Sequence, residues 1–240
     1  MSSGLPEWGT ITVTVSAFTC GATISDIDGN SYNTVSIGDQ CWTKENLRVR
    51  RYNDSTEIKF DNSGETAGYL SGQTWGGLTY GAYTLYEYDS TAIPSKLTTY
   101  GYLYNWYAAK GIATTGSFVY KNICPTGWHV PTDLAWTTLT TLLGGDSEAG
   151  GKMKMKSDGS TVYWNGSDTG ATNESGFSAL PGGSRFEDGS FSNVSAYASF
   201  WSTSENGNLA WYRFLTNYDV NVYNNDGLKS VGFSVRCLRD

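Results

Sequence analysis

Histidine is nearly missing from this 240-residue chain, where His129 stands alone. The four cysteines, Cys20, Cys41, Cys124 and Cys237, show no C-x-x-C spacing. Together these scarcities argue against zinc, which needs three or four closely placed Cys, His or carboxylate ligands. They also leave a Ser-His-Asp triad with one candidate base, and no G-x-S-x-G elbow accompanies it. His129 sits in "GWHVPT", ahead of a helix start, where a packed or capping role is expected. Charge is scarce too, at 16% of residues, and 16 Lys and Arg against 23 Asp and Glu give a formal net charge of −7. Nucleic-acid binders need a cationic field to offset phosphates. The densest basic run here, "RVRR" from Arg48 to Arg51, reads as a solvated strand end. No apolar run approaches the roughly 20 residues that span a bilayer. The opening "MSSGLPEWGTITVTV" lacks the basic start and apolar stretch of a signal peptide, as expected of a trimmed or mature fragment.

What is abundant is aromatic surface, at 15%, and glycine, with 29 residues, beside 39% hydrophobic residues. This composition suits a folded, loop-rich protein and not a disordered one. An even cysteine count in such a chain leans towards two disulfides and an oxidising compartment. Three pairings are open. The favoured set is Cys20–Cys41, across an apparent hairpin, and Cys124–Cys237, tying the middle of the chain to its last strand.

Along the chain, "TITVTV" (10–15) alternates as a strand, in an N-terminal strand or linker segment spanning 1–18. The main domain is expected over 19–240. "TISDIDGNSYNTVSIGDQCW" reads as strand, turn, strand, with Asp28-Gly29 as the turn. The Asp26-x-Asp28-Gly-Asn30 spelling hints at a calcium loop, but Ser31 and Ile37 stand where an EF-hand needs Gly and Glu. Residues 53–98 read as loop with short strands or a helical turn near "YEYDS". "YGYLYNWYAAKGI" carries Leu103, Trp106 and Tyr107 at helical spacing and ends on a Lys110-Gly111 C-cap. A second helix follows Thr132 as N-cap, with Leu134, Leu139, Leu142 and Leu143 as its apolar face and Gly144-Gly145 as its stop. Near the C-terminus, Val231, Phe233 and Val235 alternate with Gly232, Ser234 and Arg236 as a half-buried strand would. Two helices among short antiparallel strands make an α+β domain.

The segments "GNSYNTVSIGDQCWTKENLRV", "YGYLYNWYAA", "ICPTGWHVPTDLAWTTLTTLLGG", "ATNESGFSALPGGSR", "DGSF" and "AWYRFL…GFSVRC" occur in an order that resembles the Fibrobacter succinogenes major paralogous domain, a bacterial extracytoplasmic family. The resemblance runs from about Gly29 to Asp240. It implies a C-type-lectin-like fold and similarity to the variable proteins of diversity-generating retroelements, in which a reverse transcriptase rewrites adenine-rich codons and varies a ligand-binding face. By that resemblance Trp211, Arg213, Leu215, Val222, Lys229 and "GFSVRC" are scaffold. The varied set is Tyr212, Phe214, Thr216, Asn217, Tyr218, Asp219, Tyr223, Asn225, Asp226, Leu228, Ser230 and Val231, with Asn206, Asn208 and Leu209 at its start. Each residue from Tyr212 to Val231 in that set is reachable from an AAC codon through its adenines alone. Between 212 and 228 the residues such changes cannot reach, Lys, Glu, Gln, Met and Trp, are absent. Tyr and Phe supply contact area at low entropic cost, and Asn, Ser and Thr supply adaptable hydrogen bonds, as in antibody loops.

Other chemistries are weighed against this. Lectin-like copper oxidases use two nearby cysteines, whereas Cys124 and Cys237 are better accounted for as a disulfide. Paired carboxylates for glycoside hydrolysis have no motif. Glu174 in "ATNESGF" and Glu205 in "WSTSEN" read as residues that pin loops. The E-P-N and W-N-D spellings of calcium-dependent sugar sites are absent, although a sugar could stack on Tyr212, Tyr218 or Tyr223. The expectation is therefore a non-enzymatic, extracellular or cell-surface module with a recognition face near 206–231, supported by Trp201 and Trp211. Its partner would be a protein or a surface glycan, with no nucleic acid and no membrane span in the chain. No cofactor is expected; a structural Ca²⁺ stays open, although no motif calls for one. The alternative is a fixed structural or adhesive module, carbohydrate-binding or not, without diversification.

Overall fold

The computed structural model describes residues 18–61, 74–86, 93–116, 119–158, 160–166 and 170–240. The "TITVTV" run and the "EYDS" after Tyr86 lie outside them. The chain begins with β1 (Ile24–Ser25), β2 (Ser31–Tyr32), β3 (Thr34–Ile37) and β4 (Gln40–Thr43), followed by β5 (Lys59–Phe60), a 3-10 turn (Trp75–Gly77) and β6 (Ala82–Thr84). Helix α1 (Ile93–Tyr100), β7 (Leu103–Tyr104), α2 (Trp106–Lys110), β8 (Trp128–His129), α3 (Asp133–Leu142) and α4 (Asp146–Met153) come next. Then follow β9 (Gly182–Arg185), β10 (Phe191–Val194), β11 (Tyr197–Asn206), β12 (Leu209–Thr216), β13 (Val222–Leu228) and β14 (Leu238–Arg239). The architecture is mixed α+β, with four α-helices among the described residues where two were expected. Its sheets have the orders β1-β2, β3-β4-β14-β8, β5-β6-β7 and β10-β9-β11-β12-β13.

Local chemistry explains most element ends. In the β1–β2 hairpin, Gly29 takes φ 82°. The Asp26 carboxylate accepts from the N–H of Asp28 and Asn30, from the Asn30 amide and from the Tyr32 hydroxyl. The Asp-rich spelling is thus a self-stapled turn. Helix α2 is capped by the Asn105 side chain, which accepts from Ala108 N–H, and closed by Gly111 at φ 90°. It starts later than its periodicity suggests, because Tyr104 exchanges both backbone hydrogen bonds with Phe233 and so holds Leu103–Tyr104 extended. Helix α3 begins at the expected cap, Thr132 accepting from Ala135 N–H. Its buried face is Trp136, Leu139 and Thr140, while Leu134 is 73% and Leu142 56% exposed. The leucine face expected from the sequence is thereby corrected in part: Leu139 is buried and Leu143 packs beside it, but Trp136 takes the main inward position, with its ring 4.7 Å from Trp42, 5.8 Å from Phe177 and 5.6 Å from Phe200.

Helix α4 was not expected, since Gly150 and Gly151 lower helix propensity. Both glycines are needed for a close approach. A Cβ on Gly150 would lie 2.3 Å from the Asn221 carbonyl oxygen, and Gly151 N–H donates to Val220 C=O at 3.1 Å. The helix thus sits directly against the loop that enters β13.

Among the described residues two large apolar clusters dominate the core, beside a small third one of Trp75, Leu78 and Ala82. Of the large two, one gathers Tyr32, Leu47, Val49, Tyr104, Trp106, Trp128, Trp201, Phe233 and Val235 around the Cys124–Cys237 bond, and the other gathers Trp42, Trp136, Phe177, Phe200, Leu215, Val222 and Leu238. The favoured pairings are present: Cys20–Cys41 closes 21 residues and Cys124–Cys237 closes 113. The terminal segment differs from expectation. Ser230 to Leu238 is buried throughout, and Gly232, Phe233 and Ser234 each bridge to a different partner, namely Arg185, Tyr104 and Phe200. It is a thread between sheets and not a strand with one wet face. Arg236 is fully buried within it and donates to Asn46 Oδ1 and to the carbonyls of Thr43, Phe177 and Ser178. No described helix is long and apolar enough to cross a membrane.

Candidate functional site

The residues singled out by sequence fall mainly on the β11–β12–β13 meander, whose register decides which of them share a face. Opposite pairs include Ser199↔Phe214, Trp201↔Tyr212, Phe214↔Tyr223, Tyr212↔Asn225 and Arg213↔Asn224. Side chains alternate along a strand. Tyr197, Ser199, Tyr212, Phe214, Tyr223 and Asn225 therefore stand on one face, and Phe200, Trp211, Arg213, Leu215, Val222 and Asn224 on the other.

The second face packs inward. Phe200, Leu215 and Val222 join the Trp42–Trp136 cluster. Arg213, 1% exposed, donates to Asp133 and Asn224 carboxylate or amide oxygens and to the Thr137 hydroxyl. The pair with Asp133 ties β12 to the first turn of α3, where an acid is favoured by the helix dipole. Trp211 is half-buried on this side, so it does not support the aromatic face as expected. Trp201 does: it is buried, its indole N–H donates to Tyr104 C=O at 2.8 Å, and its ring lies 5.9 Å from Tyr212.

The first face is a row of rings. Phe233 and Tyr212 are 4.5 Å apart, Tyr212 and Phe214 5.7 Å, and Phe214 and Tyr223 4.7 Å with planes 12° apart. Tyr197 lies 5.8 Å from Phe214, and Tyr218, 57% exposed, lies 6.4 Å from Tyr197. A depression of about 110 Å³ opens between Tyr212, Phe214 and Tyr197 on one side and Phe186, Asn193 and Ser184 on the other. Tyr197, Phe186 and Asn193 were missed from the sequence. Only the Tyr197-x-Ser199-x-Trp201 alternation in "YASFW" could have pointed to the first.

The loop after β12 is rigidly held. Lys154, at the end of α4, is buried and donates its ammonium to the carbonyls of Thr216 and Asp219. The Asp219 carboxylate accepts from the Thr216 and Tyr223 hydroxyls and from Asn221 N–H. Partial burial raises the pKa of Asp219, but these hydrogen bonds and the Lys154 charge outweigh it and leave it below the ordinary carboxylate value. The same bond raises the Tyr223 pKa, so the proton stays on the phenol. Asn217 fixes the loop further, its amide donating to Asn165 C=O at 2.7 Å.

The remaining candidates divide. Asn206 and Asn208 are exposed at the β11–β12 tip, where Asn206 donates to Asp226. Leu209, Asp226 and Leu228 face the opposite side from the rings, near the same tip. Thr216, Ser230 and Val231 are buried, at 0%, 8% and 7% exposure, and offer no surface to a ligand. Glu205 pins the tip as expected, accepting from Lys229 at 2.8 Å. In "ATNESGF" the pin is Asn173, bonded twice to Ser178 from φ 54°, while Glu174 is exposed. His129 is not a cap: its ring meets Asp240 at the surface, and Thr132 does the capping.

Fold and site together define a mixed α+β, doubly disulfide-tied protein whose C-terminal meander presents aromatic and amide side chains on a braced support. The chain belongs to the Fibrobacter succinogenes major domain family, whose profile matches residues 35–239. No curated protein and no solved structure matches it.

Proposed function

We propose that this protein is an extracytoplasmic, non-catalytic ligand-binding module of C-type-lectin-like architecture, and that its C-terminal face is varied by a diversity-generating retroelement. The observation that carries the reading is the register of β12 and β13. Tyr212, Phe214, Tyr223 and Asn225, all reachable from AAC codons, share the ring-bearing face, while Arg213, Leu215 and Val222 lock the reverse side to the helices. Such an arrangement lets outward side chains change with little cost to folding. The rings stack without charge between them, and the nearby Asp219 carboxylate is engaged by its own loop. The ligand is accordingly a protein or glycan surface recognised by shape, stacking and neutral hydrogen bonds. Two disulfides suit an oxidising compartment.

The test is binding to arrays of glycans and of surface proteins from neighbouring cells, with wild type beside a Tyr212→Ala/Phe214→Ala variant. The reading expects a wild-type ligand that the variant loses while keeping its cooperative unfolding. A ligand bound equally by both would place recognition elsewhere.

A further inference from the structure

A second concave surface is built from the basic run that the C-terminal face leaves unused. Residues 50–52 fold back on 56–58, with Ile58 N–H donating to Arg50 C=O and Tyr52 N–H to Thr56 C=O. The chain then enters the parallel β5–β6 pair, where Phe60 registers with Tyr83. Between this turn and the Tyr80–Gly81 segment lies a cleft of about 640 Å³, within the range of small-ligand sites.

Its charges are not equivalent. Arg51 is spent on Asp28, with Nε 2.6 Å from the carboxylate, and a further N–H goes to Ile27 C=O. The Arg50 side chain is 61% exposed, its Nε 3.9 Å from the Asp28 carboxylate that its backbone N–H also binds, and Lys59, exposed, lines the same cleft. Glu57 is the one carboxylate among the described lining residues. A local cationic excess therefore stands in a chain of net charge −7. Ring surface lies beside it: Phe60 and Tyr83 are 5.3 Å apart, Tyr83 and Tyr102 4.7 Å, and Tyr80 lines the far wall.

We propose that this cleft binds a carboxylated sugar, such as a hexuronate unit of an acidic polysaccharide, independently of the C-terminal face. Arg50 and Lys59 take the carboxylate, Phe60 and Tyr80 take the apolar face of the ring, and Glu57 accepts from ring hydroxyls. Carboxylate recognition by exposed cations is weak alone and screened by salt, so the rings are needed to hold the sugar.

Calorimetric titration of the whole protein with a galacturonic acid trimer, and with the neutral galactose trimer, tests this. The acidic trimer should bind roughly tenfold or more tightly than the neutral one, and its affinity should fall as salt rises past about 0.1 M. Arg50→Gln and Lys59→Gln should each weaken it about three- to tenfold. Both side chains are exposed, so the variants should melt as wild type does. Equal affinity for the two trimers, no binding of the acidic one at millimolar concentration, or wild-type affinity in both variants would overturn the proposal.

Discussion

Along β12, Arg213 and Leu215 point towards α3 and α4, while Tyr212 and Phe214 point away from them, so one strand carries two surfaces under opposite demands. The inward surface is specified by contacts that tolerate one solution: a buried guanidinium with three partners, and aliphatic side chains interlocked with Trp136 and Phe200. The outward surface is held mainly by ring against ring, with Tyr212 resting on Trp201 and Phe233 and the Tyr223 hydroxyl tied to Asp219. Dense packing makes the first intolerant of change, and solvent on one side makes the second permissive. A period of two is enough to keep the two apart.

The comparison breaks most visibly in a paired truncation. Phe200→Ala, at a fully buried site, should cost about 3–5 kcal/mol, whereas Phe214→Ala on the outer row should cost about 1 kcal/mol, both read by urea unfolding. Comparable costs would mean that the outer rings are core. Next in size is Arg213→Ala, which removes a buried guanidinium and leaves the partly exposed Asp133 without its cation, and should cost roughly 2–3 kcal/mol. A loss below about 0.5 kcal/mol would show that the inward face does not depend on this anchor.

A smaller effect sharpens the role of the loop between the strands. Asp219 has a depressed folded pKa, so its contribution is present above the ordinary carboxylate pKa and is lost as the pH falls through the folded value. Asp219→Asn should therefore destabilise by about 1 kcal/mol at pH 7. The gap from wild type should close as the pH drops below about 4. A gap unchanged at acid pH would remove the carboxylate from the account. Smallest is Glu205→Gln: its exposed pair with Lys229 should be worth under about 1 kcal/mol, and less in high salt.

How much of this was legible in sequence follows physical range. Features made by neighbours in the chain were readable: the Asp28-Gly29 turn, the Thr132 cap and the Gly111 stop. Both favoured cysteine pairs matched as well, one across a hairpin and the other tying the middle of the chain to its last segment. What failed depends on distant partners. Leu103 has helical spacing yet lies in a strand because Phe233, far along the chain, binds its neighbour Tyr104. Val231 to Val235 alternates as if one side were wet, but other sheets cover both sides. Gly150 and Gly151 look like helix breakers until the loop they admit is seen. Within the candidate face, composition marked the stretch, but only register separates Tyr212 from Arg213 or exposes Tyr218 while burying Thr216 and Ser230.

The most direct measurement is deep sequencing of codons 200–240 in a population of the source cells, with an upstream segment of equal length as control. The account predicts substitutions at adenines of the codons for Tyr212, Phe214, Tyr218, Tyr223 and Asn225, with Trp211, Arg213, Leu215, Val222 and the buried 232–237 segment unchanged. A tail as uniform as the control, or one in which Arg213 and Leu215 vary as freely as Tyr212 and Phe214, would contradict it.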